Sequence, residues 1–153
     1  EQDHFSASRK EAIACVALPT CPLAMAEAQR YMPDLMTKIE DLQDKHGLKE
    51  QAMTVRMTGC PNGCGRPSLA EIGFVGKAAG TYVMRLGGDY EGERLNHVYK
   101  EEVNEAEILE TLDGLFGEYK QARNDNERFG DYIHRTHFKG KIFVGKDQQE
   151  KSA

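Results

Sequence analysis

The chain has 153 residues, 39% of them hydrophobic and 29% charged, which suits one folded domain with a real core and excludes a disordered segment. Lys and Arg number 20 and Asp and Glu 25, a net charge of −5, and there is no basic stripe of the kind that tracks a nucleic-acid backbone. No apolar run approaches the length that crosses a bilayer as a helix, so a membrane span is excluded as well.

Glu1, Gln2, Asp3 and His4 offer neither the basic start nor the apolar segment of a secretory signal. Without an initiator Met, the chain reads as processed or as cut from something longer, and the expected compartment is the cytoplasm. The first dozen residues are polar and read as flexible or as part of an interface. Thr20 as a cap, with Cys21 and Pro22, then opens a predicted helix over 23–31. Pro33 stops that helix and starts another, in which Leu35, Ile39 and Leu42 recur at helical spacing beside Met36, up to His46 and Gly47.

Extended segments follow. Residues 54–57 lead into a Gly/Pro-rich loop, and 71–75 pair with 81–86 as a hairpin, in which Tyr82, Met84 and Leu86 alternate with Thr81, Val83 and Arg85. Gly87 and Gly88 break the run, and 96–103 supply a fourth strand. Asn104 with Glu107 forms a capping box ahead of a long helix whose stripe is Ile108, Leu112, Leu115 and Tyr119, with Leu109 and Phe116. A polar stretch over 124–127 ends it, and the residues beyond Phe138, with Lys139 and Lys141, read as a solvated tail with Arg135 nearby. Helices flanking a small, mostly antiparallel sheet make the expected class α+β.

The four cysteines are the informative feature. Cys15 and Cys21 stand in a C-x5-C spacing, Cys60 and Cys64 in a C-x3-C spacing. Without secretory features, paired thiols of this kind are metal ligands more often than disulfides. A structural zinc site fits the second pair, but the first is wider than the usual knuckle. A [4Fe–4S] cubane also takes four thiolates and accepts more widely separated ligands. Cys21 falls at a predicted helix start, where the dipole favours thiolate. The run from Thr58 to Pro67 holds three glycines and two prolines, which lets backbone N–H groups approach an anionic cluster. Spacing alone leaves disulfides, zinc and the cubane open. His134 and His137 form an isolated pair read as surface histidines, Gly73 marks either a bulge or the close approach of a cofactor, and the six methionines read as core filler.

The segments Cys15-Val-Ala-Leu-Pro-Thr-Cys21-Pro and Thr58-Gly-Cys60-Pro-Asn-Gly-Cys64-Gly-Arg66 resemble the siroheme-binding half of the sulfite/nitrite reductase family. Ala70-Glu-Ile-Gly-Phe-Val-Gly76, Leu86-Gly-Gly88, Tyr99-Lys-Glu101 and Phe129-Gly-Asp-Tyr132 agree with it, so the resemblance covers about residues 12–133. It implies a siroheme and iron–sulfur domain over 1–138, the C-terminal fragment of a longer subunit, followed by a polar, flexible tail over 139–153. It implies that Cys15, Cys21, Cys60 and Cys64 hold a [4Fe–4S] cluster and that Cys64 is also the axial thiolate of the siroheme. Asn62 and Gly63, between two ligands, would tune the cluster through their N–H groups. The implied activity is assimilatory six-electron reduction of sulfite to sulfide. Electrons would come from NADPH through a flavoprotein alpha subunit carrying FAD and FMN.

Sulfite is an anion and needs cationic side chains. Only Arg66 adjoins the cysteines, so no catalytic residue is assigned in this segment. The substrate-binding Arg and Lys residues are expected in the N-terminal half of the same subunit, and the isolated fragment is expected to be inactive. Siroheme nitrite reductases are the alternative enzyme, disfavoured by Gly63 where they tend to carry Ser. A non-catalytic zinc or iron–sulfur binding module is the alternative from another class.

Overall fold

The computed structural model describes residues 6–138. A single turn, α1 (Ala7–Lys10), is capped by the Ser6 side chain and leads into a two-residue strand, β1 (Ile13–Ala14). After a long loop come α2 (Met32–Lys45) and β2 (Val55–Thr58), then a 3-10 turn at Pro67–Leu69. The hairpin β3 (Ile72–Ala78) and β4 (Thr81–Leu86) follows, then β5 (His97–Val103), α3 (Glu105–Ala122) and α4 (Phe129–His137).

The five strands lie in the order β1-β2-β3-β4-β5. The pairs β1–β2 and β2–β3 are parallel, and β3–β4 and β4–β5 antiparallel. The α+β class therefore holds, while the antiparallel bias expected for the whole sheet is confined to β3–β5. Each parallel pair needs a crossover. The segment holding α2 supplies the first, and the Gly/Pro-rich loop with its 3-10 turn supplies the second.

Period-two alternation decides which face is buried. Val55 and Met57, Ile72 and Phe74, and Tyr82, Met84 and Leu86 point inward. They join Leu35, Met36 and Ile39 of α2 and Ile108, Leu112 and Phe116 of α3 in one core. The expected capping box at Asn104 and Glu107 is present, with both reciprocal bonds formed. Across the two helices, Asp113 meets Lys45 at 3.0 Å and His46 at 2.7 Å, and Lys38 pairs with Glu105. The fully buried Glu71 takes N–H bonds from Thr54 at 3.1 Å and from Gly130 at 2.7 Å, tying the start of β3 to β2 and to the first turn of α4.

The helix expected over 23–31 does not form. Its N–H groups go outward: Met25 and Ala26 donate to the Gly59 carbonyl at 2.8 and 3.1 Å, and Gln29 to that of Cys15 at 2.9 Å. Ala26 and Ala28 are small enough to be buried there, while Leu23 and Met25 stay exposed. These long-range bonds outweigh the local cap and proline signals, and the helix begins only at Met32. The strands and helices expected elsewhere lie within a residue or two of their predicted bounds, except that β3 runs three residues past its expected end at Val75, to Ala78; α1, β1 and α4 were without a sequence signal of their own. The tail expected over 139–153 lies outside the described residues. Among the described residues no helix is long and apolar enough to cross a membrane.

Candidate metal centre

Because β1 and β2 run parallel, their C-terminal ends lie side by side, and both cysteine segments leave the sheet at that edge. Cys15 follows β1 directly; its N–H continues the ladder to the Met57 carbonyl at 3.1 Å. Cys60 follows β2 after one glycine. The two segments touch through sulfur: Gly59 N–H donates to Cys15 Sγ at 3.2 Å and the Thr58 hydroxyl to the same atom at 3.5 Å. Cys21 sits in the loop after Cys15, its N–H held by the Ala17 carbonyl at 2.8 Å, so it is not at a helix start. No helix dipole acts on it.

Glycine is what allows the two loops to meet. A Cβ at Gly59 would stand 2.5 Å from Ala17 Cβ and 2.6 Å from the Ala26 carbonyl, and one at Gly65 would collide with the Met57 carbonyl. Gly63 turns the second loop at φ +74, and its carbonyl accepts Arg66 N–H at 2.8 Å. Exposure rises along the set. Cys60 is buried, Cys15 and Cys21 are half-buried, and Cys64 is exposed, as is Asn62 beside it.

All four cysteines are free thiols, so the disulfide alternative is not what the fold holds. A four-thiolate zinc cage places its sulfurs roughly 3.8 Å apart, given Zn–S bonds of about 2.3 Å. Among the described residues no three Cys, His, Asp or Glu side chains gather around one such point. Four thiols on two adjoining loops, with the Gly59 N–H on Cys15 Sγ, fit by donor chemistry the larger body of an iron–sulfur cluster.

The sequence reading missed two cations. Arg56 of β2 and Arg85 of β4 flank Gly73 of β3 in register, on the sheet face away from the core. Arg85 Nε donates to Asn96 Oδ1 at 2.8 Å, and burial lowers the Arg85 pKa. Arg56 Nε is buried without a hydrogen-bond partner among the described residues. Strand alternation was the available signal, since both arginines fall on the positions opposite the buried ones. At Gly73 there is no bulge, the register shift lying further on between Gly76 and Ala78, and what comes close is the chain's own backbone, the Pro67 carbonyl standing where a Cβ would be.

No family model matches the chain. The sulfite reductase (NADPH) hemoprotein beta-component of Staphylococcus epidermidis is 56% identical to it over 144 residues, 94% of this chain and 25% of that protein. That of Shewanella piezotolerans is 59% identical over 129 residues, 84% of this chain and 23% of that protein. Over most of its own length the chain is similar to sulfite reductase hemoprotein beta-components. It spans about a quarter of the length of these relatives. Among solved structures, the Mycobacterium tuberculosis NirA protein matches with a TM-score of 0.73 at 23% identity, over 87% of this chain and 26% of that one, a likeness of fold.

Two minor expectations about side chains change. His134 and His137 are not free surface residues. The His134 ring stacks on His97 with centroids 6.0 Å apart, and His137 lies edge-on to Tyr99 at 5.7 Å. Burial lowers the His134 pKa. Five of the six methionines are core; Met25 is exposed and its N–H is spent on Gly59 beside the cysteines.

Proposed function

We propose that this chain supplies the electron-transfer ligands of a sulfite-reducing enzyme, with Cys15, Cys21, Cys60 and Cys64 holding a [4Fe–4S] cluster. The observation that carries the reading is the meeting of the two cysteine loops at one sheet edge, joined by two hydrogen bonds onto Cys15 Sγ. Cys64 is the exposed thiol of the four, open to a macrocycle approaching from outside the domain, which suits it as the axial thiolate of a siroheme. Asn62 and Gly63 lie between the last two ligands in sequence and would surround the cluster there; the Gly63 N–H is turned to the Cys60 carbonyl at 3.5 Å.

When bound, the two groups would relay electrons from an external donor, one at a time, for six-electron reduction of sulfite to sulfide. The chain's own residues fix the geometry: Gly59 and Gly65 admit the close loops, and the parallel strands hold them. The kinship with NADPH-dependent beta-components supports electron delivery from NADPH through a flavoprotein alpha subunit, in the cytoplasm. The anion-binding Arg and Lys residues would come from the rest of a longer subunit.

Anaerobic reconstitution tests the cluster: about four iron and four sulfide per chain are expected for one cubane. Stoichiometric zinc with no iron uptake would sink it. In a siroheme-loaded full-length subunit, Cys64→Ser is expected to disturb both siroheme absorption and its spin coupling to the cluster, and Cys15→Ser mainly the cluster, because serine oxygen is a harder and poorer bridge. Equal loss of siroheme signal in both variants removes the bridging role and leaves the four-thiolate site.

A further inference from the structure

Thr58 is the last residue of β2, and it is fully buried. Its hydroxyl has one hydrogen-bond partner among the described residues, Cys15 Sγ at 3.5 Å. Gly59 N–H donates to that same sulfur at 3.2 Å. Among the described residues no such donor reaches the sulfurs of Cys21, Cys60 or Cys64, so the two bonds single out one corner of the set. A neutral thiol is a weak acceptor, and a buried hydroxyl aimed at one is poorly satisfied. A sulfur carrying negative charge, as a metal-bound thiolate does, is a strong acceptor and satisfies the same hydroxyl well.

We propose that Thr58 is a positioning residue that sets the reduction potential of the iron–sulfur centre through Cys15, making the centre easier to reduce. The inference rests on the reading of Cys15 as a cluster ligand. Adding one electron raises the negative charge shared by the cluster and its thiolates. Donors on a ligand sulfur stabilise that more negative state more than the oxidised one, and hydrogen bonds to the sulfurs are among the recognised controls of such potentials. Thr58 also fixes where Cys15 points. Its main chain continues the β2–β3 pairing opposite Val75, so the hydroxyl is delivered from a rigid element.

Thr58→Val keeps the branched shape and removes the hydroxyl; Thr58→Ser keeps the hydroxyl. The test is EPR-monitored potentiometry, with dithionite as the electron donor, on the full chain reconstituted anaerobically with iron and sulfide. The valine variant is expected to retain the cluster with its reduction equilibrium shifted about tenfold against the reduced form, about 59 mV more negative for a one-electron couple. The serine variant is expected to stay at the unsubstituted potential. A valine variant with full iron content and an unshifted potential overturns the tuning role alone, and so does an equal shift in serine and valine, which would mark a packing effect. Failure of the unsubstituted chain to take up any cluster overturns the ligand reading and the tuning role together. Should the valine variant fail to fold, Thr58→Ala removes the same hydroxyl and is judged by the same shift.

Discussion

Glu71 is a fully buried carboxyl. Burial pushes its carboxyl up to about 7, against the N–H bonds from Gly130 and Thr54 and the nearby Arg128, which hold it down. A carboxyl whose folded pKa is raised binds its proton more tightly in the native state than in the unfolded chain. Its stabilising contribution is complete below the unfolded value of about 4.5 and is lost as pH rises through about 7. The loss is on the order of 3 kcal/mol. Urea denaturation of the chain is therefore expected to give falling stability from pH 4.5 to 7, and Glu71→Gln to flatten that slope. A slope equal in both proteins would assign it to other groups. Nothing in the sequence marks this residue. Glu71 opens a strand next to alanine, and only the arrival of α4, whose own helical character was not legible, turns it into a buried acceptor.

At the scale of elements, two helical glycines have opposite consequences. Gly114 lies in the interior of α3 with nothing within 4 Å of its missing Cβ. Gly114→Ala is expected to raise stability by about 1 kcal/mol, because alanine has the higher helix propensity and a less free unfolded chain. Gly130 lies in the first turn of α4, where a Cβ would collide with the Gly88 carbonyl and stand 2.8 Å from Glu71 Cγ. Gly130→Ala is expected to lower the melting temperature strongly, because the obstacle is backbone and α4 must lift away. Thermal melts of both variants check the pair, and a stabilised Gly130→Ala would refute the close seating of α4. Elements with strong periodicity, α2, α3 and the β3–β4 hairpin, were legible because local pattern and tertiary burial agree there. The stretch over 23–31 was misread because Thr20 and Pro22 signal a helix locally, while its amides are used by a carbonyl that follows β2, some thirty residues on in sequence. Long-range pairing also makes β1, which forms on β2 and whose two residues are too few to alternate.

At the scale of the whole molecule, the proposed metal site would tie together parts that are far apart in sequence. The two cysteine pairs were legible as candidate ligands from their spacing and setting, but the sheet edge that brings the Cys15 segment against the loop after β2 was not, since parallel pairing of β1 with β2 leaves no local pattern. A ligand bound only by the folded state adds stability where it binds. Cluster loss is therefore expected to speed hydrogen exchange around Cys15 and Cys60, while the amides of α3 near Leu112 stay protected by their own core packing. Uniform protection with and without metal would contradict this.

The parallel β1–β2 pair has a further consequence, for the order in which the molecule matures. The β3–β4 hairpin joins neighbours in sequence, and such hairpins close in roughly 1–10 μs. β1 must instead find β2 across the whole of α2, for the reward of two registered residues, Ile13 on Arg56 and Ala14 on Met57. Contacts of that separation are slow to form. Until they do, the chain offers two separate thiol pairs, each able to chelate a stray cation by itself. Iron delivered to a refolding chain is thus expected to be retained only after the Cys15 amide gains protection on the Met57 carbonyl, so that cofactor loading closes the folding sequence and does not initiate it.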